Sequence, residues 1–161
     1  MLNKLIKLII FDLDGVLIEA KEIHYRSLNK ALEEPYEISW EDHLSIYDGL
    51  KTKKKLEILT KRKGLPFEKH DSIWEAKQLY TSHELRLLKE NKKLQKLMYS
   101  LKEEGYLLAV CSNSIRKTIN IALSRLGIIE FMDLTFSNED VNNSKPHPEM
   151  YWKTISKMNC L

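Results

Sequence analysis

An apolar run that ends in two aspartates constrains the fold of this chain more than any other feature. Residues 5–11 are apolar except for Lys7, and Asp12 and Asp14 follow them directly, with Gly15 behind. A continuous apolar run of this length is typical of a strand covered on both faces, as in a parallel sheet. Because open parallel sheets bind ligands outside the carboxyl ends of their strands, we expect a functional site where this strand ends.

Strands and helices alternate through the second half of the chain. The apolar runs at residues 106–112 and 133–137 predict two further strands. A helix is predicted between them, with Ser114 as its N-cap and Gly127 as its stop. A second helical pattern, over residues 94–101, precedes the second strand. This order predicts an α/β fold with a parallel-sheet, Rossmann-like core.

The stretch from residue 16 to residue 91 interrupts this alternation, because it contains helical patterns and no convincing strand. Three helices are predicted in it, over residues 24–32, over residues 52–64 and from residue 71 onwards. The stretch is too long for a loop between a strand and a helix. We therefore predict an inserted small helical cap domain over 16–91, and a discontinuous core domain formed by 1–15 and 92–161.

Composition argues against several kinds of partner. The net charge of +3 is too weak to indicate nucleic-acid or membrane-surface binding, and no stretch approaches the roughly 18 apolar residues of a membrane span. The basic run at residues 51–55 is interpreted as a solvated helix face, in preference to a phosphate-binding patch. Two cysteines, Cys111 and Cys160, make neither a disulfide framework nor a zinc site, so we expect a cytoplasmic protein.

Four polar side chains would meet at the carboxyl edge of a parallel sheet. Asp12 and Asp14 follow the first predicted strand, Ser112 ends the second, and Lys145 follows the third. Carboxylates a few ångströms apart repel each other, so a cation or a shared proton should relieve them. Hard carboxylate oxygens suit magnesium.

Three motifs in the same order resemble those of the haloacid dehalogenase superfamily of phosphatases and phosphotransferases. They are FDLDGVL at residues 11–17, CSNS at 111–114 and SKPHPEMY at 144–151. The subgroup resembled has a small helical cap and includes phosphoglycolate phosphatases and beta-phosphoglucomutases. The resemblance implies a magnesium-dependent phosphomonoester hydrolase that acts on a small phosphorylated metabolite. A beta-phosphoglucomutase-like phosphotransferase and a catalytically impaired phosphate-binding fragment are the alternatives.

The same resemblance implies a role for each residue of the predicted site. Asp12 would be the nucleophile that forms an aspartyl-phosphate, and Asp14 would be the general acid–base. Both would bind Mg²⁺, Asp14 through its backbone carbonyl. Ser112 and Lys145 would hold the phosphoryl oxygens, and Asn113 could assist in binding phosphate.

Other implications of the resemblance concern the cap and the end of the chain. His24 is a candidate for substrate contact from the cap side, and Glu139 or Asp140 could contact the site. The acidic fourth motif of the superfamily is absent before Leu161, so we interpret the chain as a truncated form. The first strand would then present an exposed apolar edge, which predicts self-association. A receiver domain of the flavodoxin-like type is disfavoured, because it has no large helical insert after its first strand.

Overall fold

The computed structural model describes residues 6–160, so Leu5 of the predicted first strand lies outside the described residues. The backbone divides into two compact units. The sheet unit contains the residues up to Ile18 and those from Arg86 onwards, and the helical unit contains Glu19–Leu85. The predicted division into a core and a cap domain remains a proposal.

The described elements follow one another in an order that begins with a strand. They are β1 (Leu8–Phe11), α1 (Lys21–Ala31), α2 (Trp40–Asp42) continued by a π-helical turn (His43–Tyr47), α3 (Thr52–Lys63), a 3₁₀ turn (Phe67–Lys69), α4 (His70–Arg86), α5 (Lys92–Glu103), β2 (Leu107–Cys111), α6 (Arg116–Leu126), a second 3₁₀ turn (Ile129–Phe131), β3 (Leu134–Phe136) and α7 (Glu149–Lys157).

The sheet is parallel, and its strand order is β1-β2-β3. Phe11 pairs with Val110, and Cys111 pairs with Phe136, so all three strands end at the same edge. This confirms the predicted α/β class with a parallel sheet. β1 is only half-buried along its length, although burial on both faces was expected. The reason is its place at the edge of the described sheet, where β2 covers one side of it.

The helices of the sheet unit bury apolar faces whose spacing was visible in the sequence. Met98 of α5 and Ile119 and Leu123 of α6 are almost completely buried, as is Leu108 of β2. Gly127 ends α6 in the left-handed region, with a φ of 71°, as its position after the last apolar residue predicts.

The helical unit has an apolar core of its own. Its buried members are Leu28, Leu32, Ile38, Tyr47, Leu56, Leu59, Leu65 and Ile73. The side chain of Asn29 pairs with the backbone of Ile38, donating to its carbonyl at 2.8 Å and accepting from its N–H at 3.0 Å. The unit therefore has the packing that an insert needs in order to fold around its own residues.

Two basic side chains of the helical unit are unexpectedly buried. Lys55 is only 5% exposed, so the interpretation of the basic run as a solvated helix face is wrong at this residue. Lys55 shares the buried face of α3 with Thr52 and Leu59, at helical spacing. His43 is fully buried, and its ring stacks on Trp40 at a centroid distance of 5.3 Å. Burial, followed by the nearby Lys55 charge, lowers the pKa of His43 to about 4.

Both cysteines lie in the sheet unit. Cys111 is buried and Cys160 is partly exposed, and both are free thiols. Burial raises the pKa of the Cys111 thiol, which makes it an inert core residue. Within residues 6–160, no helix combines the length and the apolar character needed to cross a membrane.

Candidate active site

A tight turn directly after β1 carries the two aspartates of the first motif. The N–H groups of Leu17 and Ile18 both donate to the carbonyl of Leu13, at 3.0 and 3.1 Å, and the N–H of Gly15 donates to the carbonyl of Ile18 at 2.7 Å. Gly15 has a φ of 79°, which a residue with a side chain adopts only with strain. No atom lies within 4 Å of the place where its Cβ would be, so backbone conformation, not space, requires glycine here.

Asp12 and Lys145 form an ion pair at the carboxyl edge of the sheet. The Nζ atom of Lys145 lies 2.7 Å from Oδ1 of Asp12 and donates to the carbonyl oxygen of Cys111 at 3.1 Å. The N–H of Leu13 donates to the same Oδ1 at 2.7 Å. The Asp12 side chain is 42% exposed, so its carboxylate is oriented by these contacts while remaining accessible to a ligand.

The loop after β2 contributes two serines with different partners. Ser112 is buried, its N–H donates to the carbonyl of Phe136 at 3.0 Å, and its Oγ accepts the N–H of Ser114 at 3.0 Å. The Oγ of Ser114 donates to Oδ2 of Asp14 at 3.2 Å. The prediction that Ser114 caps the following helix is therefore wrong, because α6 begins at Arg116 and its N-cap is Ile115.

Asn113 lies between these serines and pairs with the backbone of Lys145. Its Nδ2 donates to the Lys145 carbonyl at 3.0 Å, and its Oδ1 accepts the Lys145 N–H at 3.0 Å. Asn138 supports this arrangement, because its Nδ2 donates to the carbonyl of Asn113 at 2.6 Å. The three motifs are thus tied together by direct hydrogen bonds within the sheet unit.

The acidic pair before Lys145 is engaged in the loop that follows β3. Oε2 of Glu139 accepts the backbone N–H of Arg116 at 2.6 Å, and Asp140 forms an ion pair with the Arg116 guanidinium. Although burial opposes it, hydrogen bonds from Ser137 and Arg116 hold the pKa of Asp140 below its usual range. Both acids therefore brace the start of α6, and contact with the site remains a prediction for them.

His24, the candidate for substrate contact, belongs to the helical unit. It lies on α1, and its Nδ1 is 3.4 Å from the Nζ of Lys77 on α4. Lys77 is nearly buried. The sequence pattern did not single out Lys77, since a lysine on a helix is normally solvated.

The oxygen donors of the first motif fit a magnesium ion. Among residues 6–160, no group of three or more His, Cys, Asp or Glu side chains is placed to hold a metal. Magnesium, however, is commonly held by one or two carboxylates, with waters and substrate phosphate oxygens completing the shell. Asp12 and Asp14 supply hard oxygen donors of this kind on one short turn.

Comparison with known proteins gives one family over almost the whole chain. The family model of haloacid dehalogenase-like hydrolases matches residues 9–161. Pyrophosphatase PpaX of Bacillus velezensis is 28% identical over an alignment 170 positions long. The alignment covers 99% of this chain and 72% of that protein.

Solved structures share the fold. A beta-phosphoglucomutase from Clostridium difficile superposes with a TM-score of 0.83 at 24% identity, covering 96% of this chain and 72% of its own. CbbY from Rhodobacter sphaeroides, in complex with xylulose-1,5-bisphosphate, gives a TM-score of 0.84 at 19% identity, with coverages of 96% and 73%. At these identities the likeness establishes the fold alone.

Proposed function

The chain belongs to the haloacid dehalogenase-like hydrolase family, and on this basis we propose that it is a magnesium-dependent phosphomonoester hydrolase that forms an aspartyl-phosphate. The observation that carries the proposal is the ion pair between Asp12 and Lys145, at 2.7 Å. It places a cation beside the carboxylate that the first motif offers as a nucleophile.

Asp12 is the nucleophile in this proposal. The hydrogen bond from Leu13 and the ion pair with Lys145 both involve Oδ1, so Oδ2 is the oxygen that attacks phosphorus. The bond from Oδ2 to phosphorus forms while the bond from phosphorus to the ester oxygen breaks. Dividing hydrolysis into formation and breakdown of this intermediate replaces one difficult step with two easier ones.

Asp14 is the general acid and base. It gives a proton to the departing ester oxygen, and the resulting carboxylate accepts a proton from the water that attacks the aspartyl-phosphate. This water attack releases inorganic phosphate and restores Asp12. The hydroxyl of Ser114, at 3.2 Å from Oδ2, holds the Asp14 side chain in one orientation.

Ser112 and Lys145 bind the transferring phosphoryl group, and Asn113 assists them. The Oγ of Ser112 accepts the Ser114 N–H, and in the proposal its hydroxyl proton would be donated to a phosphoryl oxygen. The Lys145 ammonium offsets charge that spreads over the equatorial oxygens in the transition state. Asp12 and Asp14 would hold the Mg²⁺, which when bound would neutralise phosphate charge beside the attacking carboxylate.

The substrate is a small phosphorylated metabolite. One relative is named a pyrophosphatase, and one structural neighbour was crystallised with a sugar bisphosphate. His24, with Lys77 beside it, is the candidate contact for the part of the substrate that is not transferred. Transfer of the phosphoryl group to a sugar, instead of to water, is the alternative outcome that the assay below distinguishes.

Location and assembly belong to the same proposal. The weak net charge and free thiols favour a cytoplasmic enzyme without nucleic-acid or membrane partners. β1 lies at an edge of the described sheet, and unpaired strand edges favour pairing with another chain. Self-association through β1 should therefore appear as a concentration-dependent mass in sedimentation velocity, and a constant monomer mass would contradict it.

A substrate screen tests the proposal. The protein is incubated with phosphomonoesters, sugar phosphates and pyrophosphate, with Mg²⁺ or with excess chelator, and released phosphate is measured. We expect phosphate release that requires Mg²⁺ and is abolished in Asp12→Asn, because an amide is a poor nucleophile. Turnover by Asp12→Asn at the parent rate would show that the covalent mechanism is wrong, and a phosphorylated product without phosphate release would indicate transfer.

A further inference from the structure

We infer that Asn113 is a positioning residue that acts through Lys145, an inference that rests on the proposed function. The side-chain amide of Asn113 uses both its donor and its acceptor on the backbone of one residue, donating to the Lys145 carbonyl and accepting the Lys145 N–H, with both distances at 3.0 Å. Two hydrogen bonds from one planar amide to the backbone of a single residue fix orientation as well as distance. These two hydrogen bonds therefore fix the position of the Lys145 backbone, from which the side chain extends.

The other end of the Lys145 side chain is held by the same short segment. Its ammonium donates to the carbonyl of Cys111, two residues before Asn113, at 3.1 Å. The same ammonium lies 2.7 Å from Oδ1 of Asp12, and the Lys145 side chain is only 15% exposed. The segment after β2 thus holds Lys145 at both its backbone and its ammonium.

This double attachment matters because lysine is flexible. A lysine side chain has four rotatable bonds, and holding it in one rotamer has a large entropic cost. Asn113 and Lys145 are 32 residues apart in the chain and lie on different loops. Without the amide pair, the loop that carries Lys145 can shift relative to Asp12, and a displacement of about 1 Å at a reacting group can cost about 100-fold in rate.

Asn113 is itself held in place. Its carbonyl accepts the Nδ2 of Asn138 at 2.6 Å, and the N–H of Asn138 donates to the carbonyl of Ser114 at 3.2 Å. The amide is therefore presented from a braced loop. The helical unit uses the same pairing, of the Asn29 side-chain amide with the backbone N–H and carbonyl of Ile38.

A double-mutant cycle distinguishes positioning from direct binding of phosphate. Asn113→Ala is made in the parent and in Lys145→Met, which keeps the length of the side chain without its charge. If Asn113 acts through Lys145, we expect kcat to fall about 10- to 100-fold in the parent and less than about threefold in Lys145→Met, because contacting residues are not additive. The matched control is Asn120→Ala, which replaces an exposed asparagine of α6. It should change kcat neither in the parent nor in Lys145→Met.

The inference would be overturned if Asn113→Ala lowered kcat by the same factor in the parent and in Lys145→Met, or if it changed KM alone. Either result would make Asn113 a direct ligand of phosphate. Thermal unfolding of every variant shows whether it is folded. Asn113→Asp, which has the same shape and lacks the amide donor, replaces Asn113→Ala if the latter does not fold.

A second measurement does not depend on turnover. In protein labelled with ¹³C-lysine, the Lys145 Cε signal is identified by its absence in Lys145→Met. We expect this signal to be shifted and broad in the parent, and to narrow and move to the position of solvated lysines in Asn113→Ala. An unchanged signal would refute the positioning role even if the parent showed no phosphatase activity, whereas failure of the substrate screen alone would refute only the proposed function.

Discussion

Removal of the Lys145 charge is the perturbation for which the structure gives a magnitude. The Nζ atom lies 2.7 Å from Asp12, and a phosphoryl group joined to Asp12 would lie within similar reach. Two unit charges at this separation interact by about 6 kcal/mol at an effective dielectric constant of 20, and by about 1.5 kcal/mol in bulk water. Because Lys145 is mostly shielded and Asp12 is nearly half exposed, a value of about 3 kcal/mol is appropriate.

That free energy translates into a defined loss of rate. Since each 1.36 kcal/mol is a factor of ten, Lys145→Met should lower kcat/KM about 150-fold. The estimate agrees with the roughly 100- to 1,000-fold effect of removing one preorganised donor from a transition state. Folding should be affected much less, because a partly exposed ion pair contributes about 1 kcal/mol or less.

The assay is phosphate release under steady-state conditions from the substrate that the screen identifies. Lys117→Met, which removes an exposed lysine from α6, is the matched control and should retain the parent rate. Lys145→Arg should recover part of the loss, since it restores the charge with a different shape. A kcat/KM for Lys145→Met within threefold of the parent, in a protein that unfolds at the parent temperature, would refute the electrostatic role of Lys145.

Three further predictions concern other parts of the chain. Asp14→Asn should lower kcat about 100- to 10,000-fold while phosphate binding measured by calorimetry is largely kept, and equal losses of binding and rate would instead mark Asp14 as chiefly a ligand. His43 has a pKa lowered from 6.5 to about 4, so the unfolded chain binds more protons between these values and stability should fall as the pH is reduced from 6.5 to 4. In His43→Phe this part of the pH dependence of urea unfolding should disappear, and its persistence would assign it to other groups. Leu59→Ala, in the core of the helical unit, should lower the free energy of unfolding by about 2–5 kcal/mol, and a loss below about 1 kcal/mol would show that the site collapses around the cavity.

The sequence alone was sufficient to predict the fold and the residues that follow each strand. The spacing of apolar residues and the length of each apolar run distinguish β1 and β2 from the helical patterns between them. Gly127 marks the end of α6 through its own backbone conformation. Once the strands are taken as parallel, Asp12 and Ser112 must lie at one edge of the sheet, because both directly follow paired strands. Family membership also follows from short motifs, which need no tertiary information.

Only the tertiary structure decided which side chains meet across that edge. Ser114 has a cap-forming residue type directly before a helix, yet it donates to Asp14, which lies 100 positions away in the chain. Asn113 pairs with the backbone N–H and carbonyl of Lys145, and nothing in either loop's composition indicates this. Propensity and period describe how a segment relates to its own neighbours in the chain. Hydrogen-bond partners between separate loops depend instead on strand register and on the exact path of each turn, which are set when the whole sheet unit packs.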